Sequence, residues 1–528
     1  MRRCASIEGK KLAAMSFAIS IQNYFSVPTL RPRVTLLQFG LCATLIVAVA
    51  VSIGLGICSA NLVIFLLACA GFVFACIHSM QSAAFYAIFY FVFKSALWRL
   101  AYHIDGAAPT SNALDALSFS GGLFLMVVCF QVIAHHVATR RNFVTNWVEL
   151  SLIGFIGLNA LSIFNPQSSI FIGLAGFERN VFPTMFLYFV GRAAVGNDTD
   201  LRKFLRYSLY VAAFCVIYGL RHSLLGLWDF EKTYFEALYH AKGLSGWLTI
   251  GVKGVEFRAF STLWSYTEFT FTLAYWSIML YMTPTDSRRL TSVWQRRLFF
   301  ALTGVILLLS LERTPFLMIA SGLIAASYVA ASRDRRRTIA LTTIGVTLVS
   351  ALTLFAFRSQ LEESGIAKFQ RLSELADPSS ASSIDDRMER MWKPALRTIA
   401  SNPMGVGVGI GSQTVASSDA ERMSGNYVQP HNEFLQKAME SGWLSALIFG
   451  VILITLFMRL RNASRSAHNA FRKRVLAAGC GVIVAFALCG MVNLPFSGAC
   501  GNFMWFTSGA LVSLSMSPPS ELEDATKS

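Results

Sequence analysis

The chain has 528 residues, of which 54% are hydrophobic and only 14% charged, against about 25% charged in an ordinary soluble domain. No soluble core absorbs that much apolar sequence, and the apolar blocks lack the alternation of a β-barrel, so an all-α polytopic membrane protein is expected. The net charge of +16 is spread over the short turns between apolar blocks, and nucleic-acid binding, which needs basic residues gathered on one soluble face, is not supported.

Residues 1–33 form a basic, polar tail. The first long apolar block, near 34–55, ends without a small-residue cleavage site and reads as a retained anchor. Spans follow near 59–77, 82–102, 119–137, 147–164, 181–195 and 204–225, so that 34–225 is an N-terminal transmembrane bundle. The stretch 226–260 (WDFEKTYFEALYHAKGLSGW and its flanks) is aromatic and mildly amphipathic, as expected of a helix lying along the membrane surface. Residues 261–357 carry spans near 262–283, 297–311, 315–331 and 338–357, with Arg313 in a tight turn between two of them. The polar region 358–439 is the one sizeable soluble loop, and long loops are where function concentrates. Spans near 440–458, 475–494 and 501–516 make up the last membrane segment, 440–516, before a tail at 517–528. The expected fold therefore has about 12–14 transmembrane helices and one large outer loop.

Lys and Arg fix the orientation, because they stay on the cytoplasmic side of short loops. Alternate turns carry Arg140 and Arg141, then Arg202, Lys203 and Arg206, then Arg288, Arg289, Arg296 and Arg297, then Arg333 and Arg335 to Arg337, then the run from Arg459 to Arg474. The intervening turn 103–118 has no Lys or Arg, nor has 495–500. Both chain ends are thus expected inside, and the loops 226–260 and 358–439 outside.

Within the large loop a Ser-rich linker, DPSSASS from Asp377, precedes a helical repeat of Met388, Met391, Trp392, Leu396 and Ile399. Asp385 and Asp386 are its candidate caps, Pro394 a kink, and Asn402 with Pro403 its end. GVGVGIG from Gly405 to Gly411 lacks the Lys-Ser/Thr of a phosphate loop and any βαβ setting, and reads as a flexible turn returning the chain to the membrane. After Pro430 comes HNEFLQKAMESGWLSALIFG, with Asn432 as N-cap, Glu433 complementing the helix dipole, and Phe434, Leu435, Ala438 and Met439 as an apolar face. Read alone, this is a capped helix start running into a span, and His431 a solvated residue at its mouth. The ten cysteines fall mostly in apolar spans without C-x-x-C spacing, so neither a zinc site nor a disulfide framework is indicated. No Ser-His-Asp motif is present.

Taken together, three blocks resemble the bacterial O-antigen ligase and O-antigen polymerase family. His431, Asn432, Leu435, Glu440 and Gly442 match its H-N-x-x-L and E-x-G signature. Arg387, Trp392, Ala395, Leu396, Pro403 and Gly405 follow its order of an Arg before a Trp, an apolar helix, Pro and a Gly-rich turn. Arg313 and Thr314 match its turn arginine, and Arg258 to Ser261 is similar to a weaker fourth block. The resemblance covers about residues 255–515. Glu312 departs from the usual small polar residue before the turn Arg, and Arg387 lies five residues before Trp392 where four is commoner, which leaves Arg390 as an alternative.

The resemblance implies a GT-C-like helical membrane enzyme of the bacterial inner membrane, with its catalytic loop periplasmic. It would move a glycan from a polyprenyl (undecaprenyl) diphosphate carrier to a sugar hydroxyl without a nucleotide sugar, metal or other cofactor. Its partners would be the lipid-linked oligo- or polysaccharide donor, a glycan or lipid A core acceptor, membrane lipid and a chain-length regulator. Arg313 and Arg387 would hold the diphosphate, since a guanidinium offers a planar, permanently charged fork to phosphate oxygens. His431 would be the general base, with catalytic roles thus falling to His431, Arg313 and Arg387. Asn432 or Glu440 would orient the imidazole, Arg390 and Arg258 would contact substrate, and Trp392, Trp247 and Tyr427 are read either as stacking on sugar or, the stronger reading for each, as core or interface packing. Ligase and polymerase differ only in acceptor and are not separated. The reading from another class is a transporter or flippase for a lipid-linked saccharide, prompted by Lys94 and Arg99 within one span.

Overall fold

The computed structural model describes residues 59–105, 116–138, 144–242, 259–263, 265–284, 293–310, 312–356, 387–410 and 429–516, and every regular element among them is helical. The N-terminal part contains α1 (Ala60–His78), α2 (Met80–Asp105), α3 (Ala116–Ala138), α4 (Trp147–Leu161, continued by a 3₁₀ turn Ser162–Phe164), α5 (Ile170–Asn180), α6 (Phe182–Ala194), α7 (Asp198–Leu225) and α8 (Asp229–Lys242). The C-terminal part contains α9 (Tyr266–Met282), α10 (Val293–Ser310), α11 (Thr314–Ala330), α12 (Arg333–Ala356), a π-turn at Met388–Trp392, α13 (Lys393–Ser401), α14 (Glu433–Ser441), α15 (Trp443–Ser466), α16 (Ala470–Gly490) and α17 (Gly498–Met516). The expected span 34–55, both tails, Trp247, Arg258, the 377–383 linker, Asp385, Asp386 and Tyr427 lie outside the described residues.

Several helix starts are written locally. The side chains of Asn146, Asn197 and Ser265 accept hydrogen bonds from the amides of Glu149, Asp200 and Glu268, three residues on, and each of these N3 residues is acidic, as the helix dipole favours. Among the described residues eight helices are long and apolar enough to cross a membrane: α1, α2, α3, α4 with its 3₁₀ turn, α7, α10, α15 and α16. Exposed tryptophans stand in the first turns of α4 (Trp147), α10 (Trp294) and α15 (Trp443), where amphipathic rings mark the edge of a bilayer. The protein is an all-α polytopic membrane protein.

Two spans differ from expectation. The segment 181–195 yields α6, of only 13 residues, too short to cross alone. It is preceded by α5, which the sequence reading left in an outward turn, with the break at Val181. The expected span 440–458 is also broken. Gly442, at φ 84°, ends α14 and starts α15, so Glu440 belongs to a short separate helix outside the membrane-crossing segment.

The core is built around α9, α16 and α17, whose Trp276, Tyr275 and Trp505 are fully buried. Small residues let backbones meet there, as membrane packing requires: α6 and α17 cross where Gly191 lies against the Phe506 carbonyl and Gly509 against that of Tyr188. The two ends of the bundle are tied differently. At one end Asp198 pairs with Arg472 Nε at 2.7 Å and accepts from Asn469 at 3.1 Å. At the other, Asn165 Nδ2 donates to Gly405 O at 2.9 Å and Gln167 Nε2 to Asn402 Oδ1 at 2.7 Å. The second end gathers the loop segments that carry the candidate functional residues.

Candidate active site

The site is built on α14 and the residues before it. His431 has φ 45°, the left-handed region that a side chain with a Cβ enters at a cost of about 1–2 kcal/mol. Asn432 then caps α14, its Oδ1 accepting from Leu435 N at 3.0 Å while its Nδ2 donates to Met491 O at 2.8 Å. The sequence places an apolar face on this helix, and Ala438 and Met439 are buried as expected. Its polar face is buried too: Glu433, Gln436, Lys437 and Glu440 are all under 4% exposed. They pair with one another in part, Lys437 with Glu433 at 3.2 Å and Gln436 Nε2 donating to Glu440 Oε1 at 3.1 Å, while Glu433 Oε2, Gln436 Oε1 and Glu440 Oε2 meet no hydrogen-bond donor among the described residues. Buried charges persist only when paired in this way.

Residues Gly405 to Gly409 close over the far end of α14. Val406 N donates to Met439 O and Gly407 N to Glu440 O, each at 2.9 Å. Gly405, Gly407 and Gly409 all have positive φ, and a Cβ at Gly405 would stand 2.5 Å from the backbone oxygen of Glu440. On its other side the turn packs on α5, Gly409 against Ile172 O and Gly176. The glycines therefore serve close backbone contact. From Gly405 to Gly409 the turn is wedged between two helices, which corrects the expectation of a flexible return.

The candidate residues converge on the turn between α16 and α17, Met491 to Asn493. Besides the bond from Asn432 to Met491, Arg387 Nη1 donates to Val492 O at 2.9 Å, and Asn493 Nδ2 reaches Thr314 Oγ1 at 3.5 Å. Thr314 is the first residue of α11, and Arg313 is its N-cap residue. Trp392 Nε1 donates to Pro430 O at 2.9 Å, next to His431. Arg387 and Trp392 thus face the same way although five residues separate them. The π-turn accounts for this: its bonds run from residue i to i+5, as from Lys393 N–H to Met388 O, and absorb one extra residue within a helix. Arg390 is on the exposed side of that turn. The helix after it ends at Asn402, with Pro394 in its first turn rather than at a kink.

Burial, and then the nearby charge of Arg387, hold the His431 imidazole below its ordinary pKa of 6.5, so it is neutral at neutral pH. Glu440 behaves in the opposite sense. Burial raises its carboxyl to about 7, and Lys437, Gln436 and the Gly409 amide only partly offset that. Glu440 is nine residues beyond His431, roughly 13 Å along the helix, and its bonds are to Gln436 and Gly409. Among the described residues no cluster of His, Cys, Asp and Glu is arranged to hold a metal ion.

Some participants were not singled out from the sequence. Asn159 and Ser162, polar residues in the apolar run of α4, accept from Ser441 Oγ at 2.8 Å and donate to Glu440 O at 2.9 Å. Polar groups in a span are a functional signal, and that signal was available. The Met491–Asn493 turn gave little, because Met491 and Val492 contribute backbone carbonyls and only Asn493 a side chain.

No curated relative matches the chain. Residues 298–450, which carry Arg313, Arg387, Arg390, Trp392, His431, Asn432 and Glu440, match the family model described as O-antigen ligase. Over that segment the chain is similar to the O-antigen ligase family.

Proposed function

We propose that the protein transfers a glycan from a polyprenyl diphosphate carrier to a sugar hydroxyl on the outer, periplasmic face of the inner membrane. The observation that supports this reading is that Arg387, Asn432 beside His431, and Thr314 beside Arg313 all bond to the Met491–Asn493 turn. Arg387 and Arg313 bind the donor diphosphate, aided by the positive N-terminus of α11. The neutral imidazole of His431 takes the proton of the acceptor hydroxyl. That oxygen attacks the anomeric carbon, the bond to the carrier breaks, and its electron pair leaves with the diphosphate, inverting the anomeric centre. Charge developing on the leaving group is met by guanidinium groups already in position, which is where such donors contribute most. The spacing across the π-turn favours Arg387 over Arg390 for this role. Asn432 acts by fixing the backbone at His431, and Glu440 by holding the distal end of α14. The acceptor is a lipid A core sugar in a ligase, or another carrier-linked repeat in a polymerase.

The test is genetic and chemical. A strain lacking the gene is restored with wild type, His431→Ala, Arg313→Ala or Arg387→Ala at equal membrane levels, and surface polysaccharide and carrier-linked glycan are analysed by gel and mass spectrometry. Loss of surface glycan with accumulation of carrier-linked donor is expected in all three variants. Single repeats on the acceptor identify a polymerase, and long chains left on the carrier a ligase. Full activity in all three variants refutes the mechanism.

A further inference from the structure

A second buried cluster of charges lies outside the family match, at the junction of α2, α7 and α8. Arg99 of α2 is 1% exposed and lies 3.6 Å from Glu231 of α8, itself fully buried. The other oxygen of Glu231 is bonded to His222 Nε2 of α7 at 2.7 Å. Arg99 does more than neutralise this carboxylate. Its Nη2 donates to Ser261 O at 2.9 Å, and its guanidinium stacks 4.6 Å from the centre of the Phe260 ring. Ser261 is strained, at φ 56°, and its hydroxyl donates to Cys215 O at 2.8 Å. One planar cation thus joins three helices to the residues that lead into α9.

From there the chain leads into α9, whose first turns bond to the surroundings of the site. In the first turn of α9, Glu268 accepts the amide of Ala499 at the start of α17. Two residues on, Thr270 Oγ1 donates to Glu312, the residue before Arg313. The departure from the family pattern at Glu312 acquires a purpose here, since a small polar residue would not span to Thr270. We propose that Arg99, together with Glu231 and His222, is a positioning network for the transfer reaction, holding Phe260–Ser261 and, through the start of α9, the Glu312–Arg313 turn. A buried ion pair is a poor source of net stability, and replacing both partners by apolar residues is often neutral or stabilising. In Arg99, moreover, Nε and Nη1 meet no hydrogen-bond acceptor among the described residues. Cohesion alone therefore gives little reason for an arginine here, whereas the bond from Nη2 to Ser261 O and the stacking of the planar guanidinium on Phe260 do.

This inference rests on the transfer reading, so the test separates the two. Full-length protein is reconstituted with carrier-linked donor and acceptor extracted from a deletion strain, and rate is measured against donor concentration alongside thermal melting. The double variant Arg99→Met, Glu231→Met removes both charges together. It is expected to melt no lower than wild type while kcat falls about tenfold or more, as displacement of a catalytic group by a fraction of an ångström produces, with donor KM little changed. Arg99→Lys, which keeps the charge but not the planar guanidinium that stacks on Phe260 while bonding Ser261, is expected to lose a similar factor. Wild-type kcat in either variant overturns the positioning role and leaves the transfer reading intact. Absence of transfer by the wild type overturns both.

Discussion

At the scale of single residues, His431 unites two costs that an idle surface residue would not carry. It occupies a left-handed backbone conformation, and its imidazole is kept from charging by burial and by Arg387. Strain of this kind persists only where the surroundings impose it, and here Asn432 imposes it by bonding to both α14 and the Met491 carbonyl. A depressed pKa means that the imidazole, the base of the proposed reaction, remains deprotonated to below pH 6.5. The acid limb of kcat/KM is therefore expected below that value. In Arg387→Met the residual rate should show the limb moved to higher pH, because the charge that opposed protonation is gone. A limb unmoved in that variant, or one already above 6.5 in wild type, would count against His431 as the base. The sequence made the identity of His431 legible through its H-N-x-x-L block. The left-handed φ was not legible, since it depends on where Met491 lies, some sixty residues later.

At the scale of elements, the π-turn explains a discrepancy that the sequence left open. A five-residue spacing from Arg387 to Trp392 would turn the two side chains apart on an α-helix, where four residues complete roughly one turn. The wider turn restores their common face. Deleting Glu389, an exposed residue, should convert the turn to α-helix with Arg387 and Trp392 still aligned. Transfer activity is expected to be retained, whereas Arg387→Ala is expected to keep only a small residual rate. If the deletion is as inactive as Arg387→Ala, the π-turn is not a register device.

Helix α14 gives a second prediction, through Glu440. Its carboxyl is raised to about 7 in the folded protein from an ordinary 4.5. The protonated form is therefore the one the fold prefers. Stability is fully present below about pH 4.5 and is lost as pH rises through about 7, by on the order of 3 kcal/mol for this group. Glu440→Gln mimics the protonated acid and should flatten that dependence, melting higher than wild type at about pH 8 and equally at about pH 5. Melting curves that fall in parallel for both proteins would show that Glu440 stays charged. The cap and apolar face of α14 could be read locally from Asn432 and Met439. The burial of its polar face could not, because the elements that cover it, α4, the Gly405–Gly409 turn and the end of α16, are remote in sequence.

At the scale of the whole molecule, the helices were legible because hydrocarbon forces long apolar runs, and the failures came where a run is interrupted from outside. Val181 and Gly442 break apolar stretches that composition alone joins or truncates, and tertiary contacts of α5 and the Gly-rich turn set both breaks. The same contacts segregate the ends of the bundle. The residues meeting at Met491–Asn493 share one end with Asn165, Gly405 and the 402–404 corner, while Asp198, Arg472 and Asn469 are tied at the other. The distribution of Arg and Lys is expected to put the second end in the cytoplasm, and the proposed transfer from a carrier-linked donor would then take place at the first end, on the periplasmic side. Met404 is 83% exposed at the first end, and Ser466 is exposed in the basic loop at the second. The described native cysteines are buried or half-buried. A membrane-impermeant maleimide applied to cells with a permeabilised outer membrane should therefore label Met404→Cys and spare Ser466→Cys until the inner membrane is broken. Labelling in the reverse order would put His431 in the cytoplasm, where a polyprenyl-linked glycan awaiting transfer at the outer face could not reach it.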